Sequence, residues 1–441
     1  YQTDNVTQVI KETVNQRPKV PRHLPQCFRF FGSRVGHFHR PLHDAPLFRF
    51  VSNILFYYIT ASPACQGKQK KKKALTEGEK DATMKKKHEG KGTPMKLKKE
   101  TYRDYYFDTV RRLLSTPSPT GYYREVMEVV RELAEESGAT FRLTRKGCAV
   151  LSYPGAAHDA PLGACAHCDT LGLMVRSILP DGGLAFTNVG SPLIPTLDGE
   201  YCTVITRNGK RIGGTVLSRS PAAHVYEDAK SRPRDCENMY IRLDETVKSA
   251  TDTRALGIEN GDYIVIDPKT VVTESGFLKS RFIDDKASVA CLLTVLHILH
   301  EENIVPPQDI EILITMYEEV GHGAGYVPER IISMLGVDMG CIGKDLSCTE
   351  YDVSICAKDS GGPYDYPLTC RLVELAKENG LSYAVDIYPF YGSDIGAMWR
   401  AGYDIPGALI GTGVHASHGM ERTHYDGIFN TISLILLYFG V

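Results

Sequence analysis

The sequence has no apolar run long enough to span a membrane. Its best candidate, Phe50–Ile59, follows Arg49 and contains Ser52 and Asn53, whereas a transmembrane helix needs about 20 predominantly apolar residues. No signal peptide is recognisable either. We therefore expect the protein to work in the cytoplasm and to have no membrane partner.

Cysteine is also too sparse for a disulfide scaffold. The 12 cysteines are scattered over 441 residues, a distribution typical of free thiols in a reducing compartment. Cys165 and Cys168 have CxxC spacing, but they lie in an apparent strand, GACAHCDT. Residues three apart in a strand point to opposite faces, and no second CxxC is present to complete a zinc site. These features disfavour a thiol-based redox or zinc centre.

Two widespread catalytic motifs are missing as well. The sequence has no GxSxG nucleophile elbow and no phosphate-binding P-loop, which argues against a serine hydrolase of the α/β type and an NTPase. The charge is nearly balanced, with 51 Lys and Arg against 53 Asp and Glu, and the lysines crowd into 68–99. The rest of the chain is therefore acidic, which disfavours nucleic acid as a partner.

The first hundred residues differ from the remainder. They begin with Tyr1, show no sustained hydrophobic periodicity and contain the lysine-rich tract, which has the composition of a disordered segment. We expect residues 1–100 to be a disordered or non-native extension, with Met84 or Met95 as candidates for the true start. A nuclear-targeting or RNA-binding tail is the alternative interpretation.

From Thr101 onward the sequence has the alternating pattern of an α/β domain. TYRDYYFDTVRRLL and ASVACLLTVLHILHEE have helical periodicity, whereas PLGACAH, IEILITMY, MLGVD and IPGALIG are short apolar strands. Between 176 and 272 short alternating strands predominate, joined by turns such as Asn208–Gly209. We therefore predict an α/β fold with a mixed sheet for 101–175 and 273–441 and a small inserted β-barrel domain for 176–272.

Residues suited to metal binding lie at or after the ends of predicted strands, in five segments: AHCDTLG, FIDDKAS, TMYEEVG, GVDMG and ASHGMERTH. Open α/β sheets collect their sites at the carboxyl ends of strands, so the five segments predict one shared site. In the first segment, His167 and Asp169 lie on one strand face. The histidine can bind a metal, and the aspartate can accept its other ring N–H.

Adjacent carboxylates leave a choice open in two of these segments. Asp284 and Asp285 cannot both point at one ion without a turn. One of them can bridge two metals, and Asp285 also suits the N-cap of the following helix. Of Glu318 and Glu319, one can bind metal while the other acts as a general base. Spacing alone does not decide between the members of either pair.

The remaining candidates are one aspartate and three histidines. Asp338 ends an apolar strand, where an unpaired carboxylate is costly and a metal is a suitable partner. His415, His418 and His424 share the last loop, and the sequence does not show which of them is a ligand. Imidazole and carboxylate ligands without thiolate suit Zn²⁺, with Co²⁺ or Mn²⁺ as alternatives. Two such ions about 3.5–4 Å apart can act together on a carbonyl group and a water molecule.

As an ordered set, these motifs resemble the glutamyl aminopeptidase and tetrahedral aminopeptidase family of co-catalytic metallopeptidases. The resemblance runs from about residue 101 to 441 and rests on AHCDTLGLMV, SRFIDDKAS, YEEVGHGA, GVDMG, YGSD and SHGMERTH. GGPYDYPL and SHGMERTH further resemble the branch associated with N-acetylglutaminylglutamine amide osmoprotectant clusters. The family implies a three-layer, zinc-exopeptidase-like catalytic domain with an inserted β domain.

The resemblance also implies a role for each candidate residue. Five positions match the family's metal ligands: His167, Asp284, Glu319, Asp338 and His418. In the family pattern, Asp284 would bridge two divalent ions. Glu318 would be the general base, and Asp169 would orient the histidine.

The function implied by the resemblance is a cytosolic, metal-dependent aminopeptidase that hydrolyses N-terminal peptide bonds. Family members form homo-oligomers through the β domain, so we expect an assembly between a dimer and a dodecamer. One alternative is a metal-dependent amidohydrolase or deacylase acting on a small non-peptide or osmolyte-like amide. A second alternative is a protein that binds nucleic acid through its lysine-rich tail, which predicts salt-sensitive binding.

Overall fold

Seven α-helices lie in the part of the chain that the structure describes. A computed structural model describes residues 98–441, and the predicted N-terminal extension falls almost entirely outside them. The helices are α1 (Arg103–Ser115), α2 (Arg124–Glu136), α3 (Ala250–Ala255), α4 (Ile283–Glu301), α5 (Tyr366–Glu378), α6 (Asp394–Arg400) and α7 (Tyr425–Tyr438). Within these residues, no helix combines the length and the apolar character needed to cross a membrane.

The same residues contain 19 strands. They are β1 (Thr140–Leu143), β2 (Ala149–Tyr153), β3 (Ala157–His167), β4 (Gly172–Ile178), β5 (Leu184–Val189), β6 (Tyr201–Ile205), β7 (Arg211–Ser218), β8 (Met239–Leu243), β9 (Tyr263–Ile266), β10 (Val271–Val272), β11 (Phe277–Ser280), β12 (Gln308–Thr315), β13 (Ser333–Val337), β14 (Gly340–Cys341), β15 (Val353–Asp359), β16 (Gly362–Pro363), β17 (Tyr383–Ile387), β18 (Gly407–Val414) and β19 (Glu421–His424).

Ten of the strands form one mixed sheet. Its order is β1-β2-β12-β3-β13-β18-β15-β16, with β14 beside β18 and β17 beside β15. The four strands β12, β3, β13 and β18 run parallel to one another, so their carboxyl ends meet at one edge. The apolar runs predicted as strands are these central strands, and every residue of β18 is buried. The predicted mixed-sheet α/β fold is confirmed.

Six strands between β3 and β12 in sequence close into a barrel. Its order is β4-β5-β8-β7-β6-β9, and all neighbours are antiparallel. The predicted turn at Asn208–Gly209 joins β6 to β7, with Gly209 at φ 82°, a conformation that glycine adopts without strain. The inserted barrel is therefore confirmed. The division of the chain into domains at 176 and 272 stays a prediction.

Helix α4 is the centre of the core beside the sheet. It is buried on all sides, and it packs against α1, α2, α7 and β3. Helix α1 turns one face towards it, with Tyr106, Val110 and Leu113 fully buried at helical spacing. The shorter α6 packs on β3, β13 and β18. These contacts hold the parallel strands whose ends carry the candidate ligands.

Gly411 in β18 allows the sheet to pass close to Asp338. A Cβ at this position would overlap the backbone carbonyl oxygen of Asp338, and backbone atoms cannot turn aside as a flexible side chain can. We expect Gly411→Ala to lower the free energy of unfolding by roughly 3 kcal/mol, measured by urea denaturation. Gly343→Ala is the matched control, because a Cβ there meets nothing within 4 Å. Equal stability of the two variants would contradict this packing.

Candidate metal centre

His167 is the last residue of β3, which places its imidazole at the carboxyl edge of the sheet, where it is 2% exposed. Its Nδ1 lies 3.0 Å from the backbone oxygen of Asp169. A carbonyl oxygen can only accept a hydrogen bond, so Nδ1 carries the proton and Nε2 is the nitrogen that can take a metal ion. Nε2 faces Asp284 Oδ1 at 3.1 Å and Glu318 Oε2 at 3.7 Å.

The Asp169 carboxylate, predicted to orient His167, mainly holds another part of the site. Its Oδ1 is 3.7 Å from His167 Nδ1, and the main-chain carbonyl of the same residue makes the shorter contact. The carboxylate accepts hydrogen bonds from the backbone N–H groups of Glu318 at 3.1 Å and Glu319 at 3.4 Å, and from the Thr120 hydroxyl at 2.6 Å. Asp169 therefore fixes the turn that carries both glutamates.

Asp284 lies between the two histidines of the cluster. It belongs to the start of α4 but has non-helical dihedral angles, φ −72° and ψ 101°. Its Oδ1 is 3.1 Å from His167 Nε2, and its Oδ2 is 3.6 Å from His418 Nε2. His418 Nε2 is also 3.9 Å from Glu319 Oε2. One carboxylate thus faces two separate sets of donor atoms.

Asp338 and the unpredicted Asp285 complete the cluster around His167. These three residues offer ligand atoms that all lie within 4.8 Å of one another, as do His167, Asp284 and Glu319. Asp285 was predicted to cap α4, but its Oδ2 accepts a hydrogen bond from the backbone N–H of His167 at 3.2 Å. The adjacent pair of aspartates was the signal for Asp285, but adjacency did not show that both carboxylates point inward.

The final loop brings His418 to the cluster and keeps His424 away from it. Both ring nitrogens of His424 are engaged elsewhere. Nδ1 accepts from the backbone N–H of Asp426 at the start of α7, and Nε2 lies 2.7 Å from the Ser275 carbonyl oxygen. His415 is exposed and pairs through its backbone with Arg422.

Glu421 is a site residue to which the sequence analysis assigned no role. Its carboxylate is 1% exposed and accepts hydrogen bonds from the backbone N–H groups of Asp284 at 3.1 Å and His418 at 3.0 Å. One buried side chain therefore holds two candidate ligands in place. Its sequence signal was its place three residues after His418 in SHGMERTH.

The cluster buries more negative than positive charge. Burial raises the pKa of Glu318 and Glu319 well above the usual value and that of Asp338 to about 7. Burial is also the largest single influence on Asp284 and acts in the same direction, but the hydrogen bond with His167 and the charges of His167 and His418 together outweigh it and lower the pKa of Asp284. Divalent cations would offset part of this negative charge.

The donor atoms fit divalent metal ions. Two buried carboxylate oxygens of the cluster, Glu319 Oε1 and Asp285 Oδ1, have no hydrogen-bond partner among the described residues. An unpaired buried acceptor destabilises a fold by about 1–3 kcal/mol, and a cation would be the missing partner. Imidazole and carboxylate donors are a suitable set for Zn²⁺, Co²⁺ or Mn²⁺.

A family model described as M42 glutamyl aminopeptidase matches residues 147–434. The chain belongs to the M42 glutamyl aminopeptidase family. This membership confirms the predicted family and makes the chain a peptide hydrolase of the aminopeptidase type. Its placement in the branch associated with osmoprotectant clusters stays a prediction.

Relatives of this M42 chain agree with the match. The YhfE protein of Bacillus subtilis (strain 168) is 42% identical over 332 residues, which cover 75% of this chain and 96% of YhfE. The solved aminopeptidase APDkam598 from Desulfurococcus kamchatkensis has a TM-score of 0.69 at 21% identity, covering 76% of this chain and 95% of that one. The TET1 peptidase of Pyrococcus horikoshii has a TM-score of 0.67 at 18% identity, covering 76% and 98%. At these identities, the two structures support the fold.

The three histidines of the final loop can be told apart by metal content. We expect His418→Ala to lower the metal bound per chain after gel filtration, measured by inductively coupled plasma mass spectrometry, because this ring faces Asp284 and Glu319. His415→Ala and His424→Ala should keep the wild-type content. His424→Ala should still lose about 1 kcal/mol of stability, since its ring caps α7. A metal loss in His424→Ala but not in His418→Ala would contradict this geometry.

Proposed function

We propose that this chain is a dinuclear metallo-aminopeptidase that works in the cytoplasm with two divalent ions, which we take to be Zn²⁺. The observation that carries the proposal is the Asp284 carboxylate, whose two oxygens face different histidines. His167, Asp284 and Asp338 would hold one ion. Asp284, Glu319 and His418 would hold the other.

Glu318 is the general base of the proposed reaction. When bound, the two ions would polarise the carbonyl group of the scissile bond and lower the pKa of water. The Glu318 carboxylate lies at the edge of the cluster, and Asp169 fixes its backbone. It would accept a proton from the attacking water and deliver it to the nitrogen of the leaving amine.

The excess of carboxylates supports a substrate with a free amino terminus. The protonated amine of such a peptide carries one positive charge, and the acidic groups around the site attract it. A blocked amino terminus removes this charge. The requirement for a free amine separates an aminopeptidase from a deacylase, which acts on amides that have no such group.

Replacement of Glu318 tests the role of the base. We expect Glu318→Gln to lower kcat on a leucyl amide or a short peptide by roughly 10²–10⁴-fold, with metal content unchanged because the neighbouring Glu319 remains. Glu245→Gln on the barrel, an exposed position, is the matched control and should keep full activity. Activity that ignores both Glu318→Gln and a chelator would contradict the proposal.

A substrate panel tests the class of reaction. We expect hydrolysis of aminoacyl amides and short peptides with free amino termini, loss of turnover in chelator and recovery with Zn²⁺ or Co²⁺. The N-acetylated forms of the same substrates should be cleaved slowly or not at all. Preference for the acetylated forms would instead identify a deacylase built on the same site.

We also propose that the chain forms a homo-oligomer through its barrel. The TET1 peptidase of P. horikoshii can assemble into a tetrahedron or a large octahedral shell. In this chain, the barrel and its loops expose several large apolar side chains, including Tyr201 at 65% and Val225 at 74%. Contiguous exposed apolar patches are typical of interfaces, and these side chains are the candidates to form one.

The assembly can be measured by size-exclusion chromatography with light scattering. We expect a mass of at least a dimer, and a shift towards the monomer in the double variant Tyr201→Lys, Val225→Lys, because buried charge disfavours an apolar contact. Tyr351→Lys, an exposed position outside the barrel, is the control. A wild-type protein that elutes as a monomer at micromolar concentration would contradict the proposal.

A further inference from the structure

One loop of the barrel reaches the metal centre. Residues 190–197, named the brace loop here, connect β5 to β6 and include a short 3₁₀ turn, Ile194–Leu197. The loop contacts two candidate ligands, Glu319 and His418, that belong to the α/β part of the chain.

The brace loop holds both the ring and the main chain of His418. The Ser191 carbonyl oxygen lies 2.9 Å from His418 Nδ1, and the Leu193 N–H donates to the His418 carbonyl oxygen at 3.2 Å. Because the Ser191 oxygen can only accept, Nδ1 carries the proton. Nε2 is therefore the nitrogen that faces Asp284 and Glu319.

The start of the same loop packs against Glu319. Gly190 has φ 72°, and a Cβ built on it would lie 3.4 Å from the Glu319 Cβ. The backbone of the brace loop at Gly190 therefore passes close to Glu319, with room for no more than an ordinary van der Waals contact between them.

Arg281 ties the brace loop to both ligand-bearing segments. It is 3% exposed, and it stands three residues before Asp284. Its guanidinium donates to the Thr196 carbonyl oxygen at 2.8 Å and to the Gly419 carbonyl oxygen at 3.2 Å. One buried side chain thus joins the brace loop to the histidine loop and to the start of α4.

The other half of the centre is held by the sheet. His167 bonds to the Asp169 carbonyl oxygen, and the Asp338 backbone N–H donates to Ile410 in β18 at 2.9 Å. We infer that the brace loop selectively supports one of the two metal positions, the one formed by Asp284, Glu319 and His418. This inference rests on the proposed two-ion function. Removing a hydrogen-bond partner of a metal ligand changes metal affinity by about 10–100-fold. Loosening the brace loop should therefore lower the affinity for the ion at this position and leave the affinity for the other ion unchanged.

A proline at position 193 tests the inference by removing one hydrogen bond. Leu193 has φ −70°, which proline adopts without strain, and proline lacks the N–H that bonds to His418. Leu193→Ala is the matched control, because it keeps the N–H and removes only a side chain that is 51% exposed.

The full chain would be stripped of metal and titrated with Co²⁺, followed by visible absorption and by metal analysis. We expect the wild type and Leu193→Ala to bind two equivalents. Leu193→Pro should bind the first with wild-type affinity and the second on the order of 10–100-fold more weakly. Arg281→Met removes the hydrogen bonds to Thr196 and Gly419 and should likewise weaken binding of the second equivalent only. If circular dichroism shows that Leu193→Pro is misfolded, the result for Arg281→Met tests the inference in its place.

The outcomes separate the inference from the proposed function. Two equivalents bound with wild-type affinity in both loosened variants would overturn the role of the brace loop and leave the two-ion site intact. An equal loss of affinity for both ions would also overturn it, because a loop that supports one position predicts weaker binding of one ion only. A wild-type protein that binds fewer than two ions would overturn the two-ion function itself.

Discussion

The centre depends on the placement of one buried carboxylate, that of Asp284, between two imidazoles. Its two oxygens point to His167 and His418, which come from distant parts of the chain. Glu421 fixes Asp284 and His418 relative to each other, because its two carboxylate oxygens accept hydrogen bonds from their backbone N–H groups. The parallel strands bring the remaining groups to the same edge, since His167 is the last residue of β3, and the turn of the glutamates and Asp338 follow the ends of β12 and β13.

Without bound cations, this cluster of buried carboxylates destabilises the folded state. Burial, and to a smaller extent repulsion between neighbouring carboxylates, raises the pKa of Glu318 and Glu319. A cation that binds only the folded state stabilises that state in proportion to RT ln(1 + [L]/Kd). The ions that serve the chemistry would therefore also act as ligands that favour the folded chain.

Long apolar segments made most of the fold predictable. The central strands and α4 are continuous runs of buried residues, and the polar residues at the ends of those strands indicate the site. The choice within each pair was not predictable from spacing, because a turn of the backbone lets both Asp284 and Asp285 point inward. Glu421 and the main contacts of Asp169 were missed for a related reason. Asp169 binds the backbone N–H groups of Glu318 and Glu319, and Glu421 binds that of Asp284, all far away in sequence, and such bonds leave no periodic signal. The short helix α6 also escaped prediction, since seven residues are too few to show a periodic pattern.

The position of the barrel in the chain has a consequence for folding. Ala164 in β3 pairs with Ile312 in β12, yet all six barrel strands lie between them in sequence. Pairings that are distant in sequence form slowly, because a long loop must be closed first. In the barrel, Leu173 pairs with Ile264, so a barrel that folds early brings its own two ends together and shortens the loop that remains. The folded barrel would then hold the ends of β3 and β12 near each other, so that these two strands of the sheet can pair.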